Sequence, residues 1–279
     1  MNTVFGKPPF EDWFLALREQ EQTMFRVPLN TLSLEKIRGY VKSNAIDLLL
    51  PLRYEDMRFL SLHDVGCPYL SPPNFEIVRV LNEKNLFVDL MLYNELDDFL
   101  PEIYVICTDT PKTYKPIKYP AVFKPTVGLA GAGVKILNEE ADLPEGQTNY
   151  IVQEYIEGSK EYVGNYVFYR GELLFSQVMS QVYEGDRHIK HGKMLNNEIV
   201  HDFDHQQFSR IFSLLKYTGP MCIDFKLIDS KVKIFEINPR FGGTIVCNYM
   251  TDVVQALRSQ YEQIFLGASR NLSKLNKEL

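Results

Sequence analysis

The sequence is short of several things. Its four cysteines, Cys67, Cys107, Cys222 and Cys247, are widely scattered and form no C-x-x-C pair. That spacing leaves reduced thiols, as in a cytoplasmic protein. No stretch approaches the ~18 apolar residues of a membrane span, so no spanning helix is expected. Residues 1–10 lack the charged-then-apolar order of a secretory signal. No internal repeat and no low-complexity tract occurs. Basic excess is missing too: 30 Lys and Arg face 36 Asp and Glu, a net charge of −6, which argues against a nucleic-acid partner. What remains is an ordinary globular balance. The 45% hydrophobic and 24% charged residues suffice for a core and leave no tract that reads as disordered. The 279 residues allow two modest domains or one large one.

Along the first segment, short strand-like and helix-like patches alternate. "TVFG" reads as a strand, and "FEDWFLALREQ" as a helix with Trp13, Phe14 and Leu17 on one face. "TMFRVPL" reads as a second strand. "SLEKIRGYVKS" is a helix capped by Thr31 or Ser33, and "AIDLLLPL" a buried strand. This order predicts a small α/β unit with a parallel sheet over residues 1–75. The proline-rich "CPYLSPPN" marks the boundary. Beyond it, 76–96 reads as one long helix. Strands follow at 102–108, 119–125, 149–156, 161–170 and 172–180. A helix over 204–219 ends at Gly219, two further strands come next, and a last helix runs to about 266. This second part, 76–279, mixes helices with mostly antiparallel strands and is α+β.

"MCIDFKLI" and "VKIFEIN" read as a hairpin around Asp229, Ser230 and Lys231. A three-residue loop pairs Ile228 with Val232. Counting back sets Asp224 opposite Glu236 and Cys222 opposite Asn238. Alternation then puts Asp224, Glu236 and Asn238 on one face and Met221, Ile223, Phe225, Leu227, Phe235 and Ile237 on the other. A two-residue loop dissolves the cluster. Two carboxylates at cross-strand distance repel unless a cation lies between them, and Mg²⁺ suits such oxygen ligands. Arg240 follows, suited to an oxyanion, and Gly242-Gly243 would let backbone approach a ligand. A solvent-facing strand with incidental acids is the plain alternative.

"VFKPTVGLAGAGV" sets Lys124 at a strand end, followed by Gly128, Gly131 and Gly133. Such a loop can fold over phosphates. It is not a Walker loop, because the lysine precedes the glycines. Lys124 sits among Val122, Phe123 and Pro125, where an unpaired ammonium is costly and a polyphosphate would offset that cost. In "IVQEYIEGSKEY", exposed backbone from Glu154 to Ile156 could pair with a purine, and Glu161 with ribose hydroxyls.

These three stretches, in this order, resemble the ATP-grasp superfamily over residues 76–265, with the E-x-N-x-R of Glu236, Asn238 and Arg240 the most specific element. The resemblance implies a short N-terminal α/β domain before a two-lobed ATP-grasp fold, with a nucleotide cleft between lobes 112–156 and 157–266. It implies ATP and Mg²⁺, with Mn²⁺ as a substitute and two ions expected. It also assigns roles. Lys84 and Lys124 bind phosphates, and Gly128, Gly131 and Gly133 form the lid over them. Gln153, Glu154 and Ile156 form the adenine hinge, and Glu161 binds ribose. Asp224, Glu236 and Asn238 hold the metal, and Arg240 steadies the transferred phosphoryl group or acyl intermediate. The chain departs from the family in its short first domain, which lacks a glycine-rich opening turn, and in having no Met-Lys-Met motif. The chemistry implied is a ligase that activates a carboxylate as an acylphosphate and joins it to an amine of an amino acid or small peptide. Modification of a ribosomal peptide and a kinase or carbamoyl-phosphate-like enzyme are the alternatives. Small-molecule substrates, no nucleic acid, no membrane and a homodimer fit this reading. The basic stretch 183–193, with Arg187, His188, Lys190, His191 and Lys193, reads either as a solvated loop or as a lid over the intermediate. In the second case Arg187 is catalytic and one histidine takes the amine's proton.

Overall fold

In chain order the elements of the computed structural model are β1 (Thr3–Phe5), α1 (Glu11–Glu19), α2 (Leu34–Ser43), β2 (Leu48–Leu50) and α3 (Tyr54–Leu62). After these come α4 (Phe75–Asn82), α5 (Lys84–Tyr93), β3 (Ile103–Cys107), β4 (Pro111–Thr113), β5 (Ala121–Pro125) and β6 (Lys135–Leu137). Next are β7 (Tyr150–Glu154), β8 (Lys160–Tyr169), β9 (Glu172–Tyr183), β10 (Met194–Ile199) and α6 (Ser209–Leu215). The last are β11 (Gly219–Ile228), β12 (Lys231–Asn238), α7 (Gly243–Asn248) and α8 (Met250–Tyr261). The structure describes residues 1–72, 74–128, 131–185 and 194–261. Among these, no helix is long and apolar enough to cross a membrane.

The N-terminal part is the expected parallel α/β unit, more weakly stranded than the sequence suggests. β1 and β2 pair in parallel, and single parallel bridges at Met24 and Tyr69 extend the sheet on either side. The strand predicted over 23–29 is thus only the bridge at Met24. α3 arises where no element was expected. Its Asp56 is fully buried, and Oδ1 accepts the Leu29 N–H at 2.8 Å. Burial raises this acid to about 6. Ser33, not Thr31, caps α2, accepting the Lys36 N–H at 3.4 Å.

The remaining strands form two five-stranded sheets, ordered β4-β3-β7-β5-β6 and β10-β9-β8-β11-β12, antiparallel throughout. The second sheet packs one face on an aromatic and aliphatic core that includes Tyr166, Phe168, Phe208, Phe225 and Ile223, joined by Val88 and Met91 of α5. A separate cluster ties the N-terminal unit to residues 241–257: Trp13, Leu17 and Leu50 pack with Phe241, Ile245 and Val253. Burying these side chains is the dominant favourable term, at roughly 1.5–3 kcal/mol each.

Three helix expectations change. The predicted helix over 76–96 is two helices, broken at Glu83, whose backbone is extended (φ −90°, ψ 112°). The predicted helix over 204–219 is a 3-10 turn followed by α6, and Lys216, with φ 42°, takes the left-handed end that was assigned to Gly219. The single final helix is α7 and α8.

The hairpin of β11 and β12 reaches the expected pairing by another route. Its loop is the two residues Asp229 and Ser230, both at positive φ (48° and 64°), which pairs Ile228 with Lys231. A β-bulge between Asp224 and Phe225 on one side, and at Phe235 on the other, absorbs the missing residue. Asp224 again faces Glu236, and Cys222 faces Asn238. The bulge also reverses the faces of Phe235 and of the residues just before it. Ile234, opposite Phe225, is buried in the core, whereas Phe235 lines the cleft with Glu236.

Candidate functional site

A cleft lies between the two large sheets. Its walls come from the start of α5, the end of β5 with the loop that follows, the connector after β7, and the β11–β12 hairpin. Lys84, Lys124, Gly128, Gly131, Gln153, Glu154, Ile156, Glu161, Asp224 and Glu236, ten residues singled out in the sequence, all line it. The chain brings them together from five separate stretches.

The helix break at Glu83 positions Lys84. Its backbone N–H bonds to the Thr126 carbonyl at 2.9 Å, which ties the start of α5 to the start of the glycine loop. Its side chain is buried, and Nζ lies 3.2 Å from Glu236 Oε2. Lys124 points from β5 into the same space and is only 9% exposed. Nζ sits 4.9 Å from the centre of the Phe235 ring, a cation–π contact. Burial lowers its ammonium to about 8, against an upward pull from Glu236, Glu161 and Asp224, while Lys84 pushes the same way as burial. The cleft therefore holds two buried ammonium groups close to a carboxylate pair, a field suited to a polyanion carrying a hard cation.

Asp224 is 5% exposed. The Asn238 amide lies across the acids: Nδ2 is 3.1 Å from Glu236 Oε1 and 3.5 Å from Asp224 Oδ2. Turning the amide about its terminal bond exchanges nitrogen for oxygen, so this trio matches a hard oxygen donor set. Among the described residues no three His, Cys, Asp or Glu gather as a metal group; the set here is two carboxylates and an amide. Arg240 stands behind them. Its guanidinium donates to the Phe241 carbonyl at 3.0 Å, reaches Asn238 Oδ1 at 3.5 Å, and lies 5.7 Å from the Trp13 ring.

Some singled-out residues are placed elsewhere. Gly133 does not line the cleft. It takes φ +78°, and a Cβ there would stand 2.8 Å from Pro125 Cγ, so it serves the turn. The Gly242-Gly243 pair meets protein: added Cβ atoms would lie 2.6 Å from Cys222 Sγ and 3.3 Å from Trp13 Nε1. These glycines let α7 start against β11 and α1. Arg187, with His188, Lys190, His191 and Lys193, lies outside the described residues.

One cleft residue escaped the sequence reading. Lys226 is 4% exposed, and its Nζ donates to the carbonyls of Ile156 at 2.8 Å and Gly158 at 2.7 Å. Burial lowers its pKa. It thereby fastens the connector between the two sheets to β11. The signal was available: once Asp224 is placed facing the cleft, Lys226 shares its face.

A second cavity, of about 730 Å³, adjoins the first and shares Gly128 and Ala132 with it. Its other walls come from the N-terminal unit (including Phe10, Leu52, Arg53 and Met57), from Asn82 and Glu83, and from Arg240.

Known proteins give this geometry a context. A family model described as an ATP-grasp domain matches residues 91–244, more than half the chain. No curated protein matches the sequence. Among solved structures, the fold is similar to an L-amino acid ligase from Bacillus licheniformis, with a TM-score of 0.57 and 15% identity over 89% of this chain and 69% of that one. A D-alanine–D-alanine ligase from Bacillus anthracis complexed with ATP gives 0.56 and 16%, over 94% and 98% of the two chains. A phosphoribosylamine–glycine ligase from Thermotoga maritima gives 0.59 and 16%, over 89% and 71%. At these identities the likeness is one of fold.

Proposed function

The chain belongs to the ATP-grasp family, and on that premise we propose that it is an ATP-dependent ligase that activates a carboxylate and joins it to an amine, releasing ADP and phosphate. One observation carries the reading: two buried ammonium groups, Lys84 and Lys124, converge on the Asp224–Glu236 pair in a single cleft. An unliganded protein gains little from so many buried charges. A nucleotide polyphosphate uses all of them. Ligases of related fold, including one complexed with ATP, support the same reading.

The assignments follow from position. Lys84 and Lys124 hold the phosphates, under Gly128 and Gly131. The connector from Glu154 to Ile156 holds the base, kept in place by Lys226, and Glu161 takes ribose hydroxyls. Asp224, Glu236 and Asn238 fit magnesium, as their oxygen donors and the repulsion between the two acids require. When bound, magnesium supplies neutralisation of the phosphoryl oxygens. In the first step a carboxylate oxygen attacks the γ-phosphorus, and the bond to the bridging oxygen of ADP breaks. Catalysis there is positioning and electrostatics, with Lys84, Lys124 and Arg240 meeting the charge. In the second step a neutral amine attacks the acyl carbon, phosphate departs with the bonding pair, and the amine loses its proton. We divide the chain functionally at residue 75, with the first unit covering the substrate side.

The test is an ADP-release screen of the purified chain with Mg²⁺ATP against amino-acid pairs, with mass spectrometry of products. The expected result is ADP formation that needs both partners and a product weighing their sum less water. ADP formation without an amine, leaving a stable phosphate ester, would mean a kinase. Absence of magnesium-dependent ATP uptake in calorimetry would end the proposal.

A further inference from the structure

The second cavity has no role in holding the nucleotide, yet it opens beside the phosphate end of the first cleft. Gly128 and Ala132 of the glycine loop form a wall of both. Its lining is mixed, with Arg53 and Glu55 of the N-terminal unit beside apolar neighbours and with Glu83 and Arg240 from later in the chain. Glu83 immediately precedes Lys84, and Arg240 lies two residues beyond Asn238, so a carboxylate and a guanidinium stand where the two cavities meet. Phe10, Leu52 and Met57, all from the N-terminal unit, supply an apolar wall.

Neither polar group is strongly committed. Glu83 has only a loose ion pair, 3.6 Å from Arg79, with both side chains about a third or more exposed to water (30% and 42%). Such pairs contribute little. Arg240 forms no ion pair among the described residues; its contacts are a carbonyl, an amide and the Trp13 ring. The cavity's remaining ion pair, Arg53 with Glu55 at 3.5 Å, involves an acid that is 52% exposed.

We infer that this cavity takes an α-amino acid with an uncharged, apolar side chain, its carboxylate on Arg240, its ammonium on Glu83 and its side chain against Phe10, Leu52 and Met57. The inference rests on the nucleotide reading, because Arg240 directs the carboxylate toward the phosphate end. An amino acid fits better than a simple fatty acid, since the cavity presents an acid, Glu83, as well as the guanidinium of Arg240. A charged side chain would have to leave that apolar wall and compete for the Arg53–Glu55 pair.

Calorimetry on the full chain, loaded with Mg²⁺ and a non-hydrolysable ATP analogue, tests this directly. The probes are leucine, its des-amino analogue 4-methylpentanoate, glutamate and lysine. Leucine is expected to bind roughly tenfold or more tighter than each of the others. Glu83→Gln should bring the ratio of leucine to 4-methylpentanoate close to one. Phe10→Ala, at a partly exposed position, should move the preference from leucine toward tryptophan. Both readouts are ratios within one variant, so a general loss of fold does not imitate them. Tighter binding of glutamate or lysine, an unchanged leucine ratio in Glu83→Gln, or no binding of any probe to nucleotide-loaded protein would overturn the inference and leave the ATP reading standing. Failure of the ATP analogue itself to bind would remove both.

Discussion

The two cavities are built on opposite plans. The nucleotide cleft encloses about 100 Å³ of solvent-accessible space and is lined by buried charges on strands and at a helix start. The adjoining cavity offers about 730 Å³, with its ion pairs loose and partly hydrated. The first is preorganised for one ligand. Its charges are desolvated before anything binds, so they act strongly on a phosphate. The second is assembled from five separate stretches and relies on shape and on a few polar groups. Variation there changes the ligand; variation in the first removes the chemistry.

That contrast can be broken by substitution. The largest effect is expected from Lys124→Met, which removes one ammonium from the transferring phosphoryl group. ATP-dependent ADP formation should fall roughly 10²–10³-fold, by analogy with loss of one electrostatic donor; steady-state kinetics measure it. Lys226→Met comes next. It frees the Ile156 and Gly158 carbonyls, and the KM for ATP should rise about tenfold with a smaller change in kcat. An equal loss in both would mean that Lys226 does more than hold the connector.

pH sharpens the comparison further. The folded ammonium of Lys124 sits at about 8, below its ordinary range, because of burial. A bound polyanion favours its charged form, so nucleotide binding should take up a proton above pH 8. Affinity for ADP should then fall by up to about tenfold per pH unit above 8, as read by calorimetry in buffers of different ionisation enthalpy. Lys124→Met should flatten that slope.

An effect of another kind, on stability and not on the ligand, lies in the N-terminal unit, where a buried charge serves no ligand. Asp56 is raised to about 6 by burial. Its folded form holds a proton that the unfolded chain releases near pH 4. The stabilisation is complete below that value and is lost as pH rises through 6. At neutral pH, Asp56→Asn should therefore stabilise the protein, by up to about 3 kcal/mol, seen as a higher Tm. The gain should vanish at pH 4.

Much of the cleft was legible because its residues sit on strands whose alternation fixes their facing. Asp224 and Glu236 are the clearest case, although the path to them differed. Ser230 is not a residue that a two-residue hairpin turn favours, and nothing in "KVKIFEIN" marks Phe235 as a bulge. Two compensating irregularities are invisible to counting. The break at Glu83 was hidden by continuous helical spacing through 76–96, since the extended backbone there answers to the Thr126 contact. α3 was missed for a similar reason: Asp56 within it is held by a distant N–H, from Leu29. The second cavity was unreadable because it joins stretches with no common period. The glycine pair after Arg240 was visible, but its purpose depends on Trp13 and Cys222, which only the fold brings near.

The extra residue at Phe235 also sets what mutation can and cannot do to this hairpin. Removing Phe235 would take out the bulge and keep the two-residue turn, and the plain ladder would still count Glu236 onto Asp224. What would go is the extra side chain turned toward the cleft, and with it the ring beside the Lys124 ammonium. In this segment the irregularity serves the surroundings of the lysine, while the facing of the two acids survives a one-residue deletion.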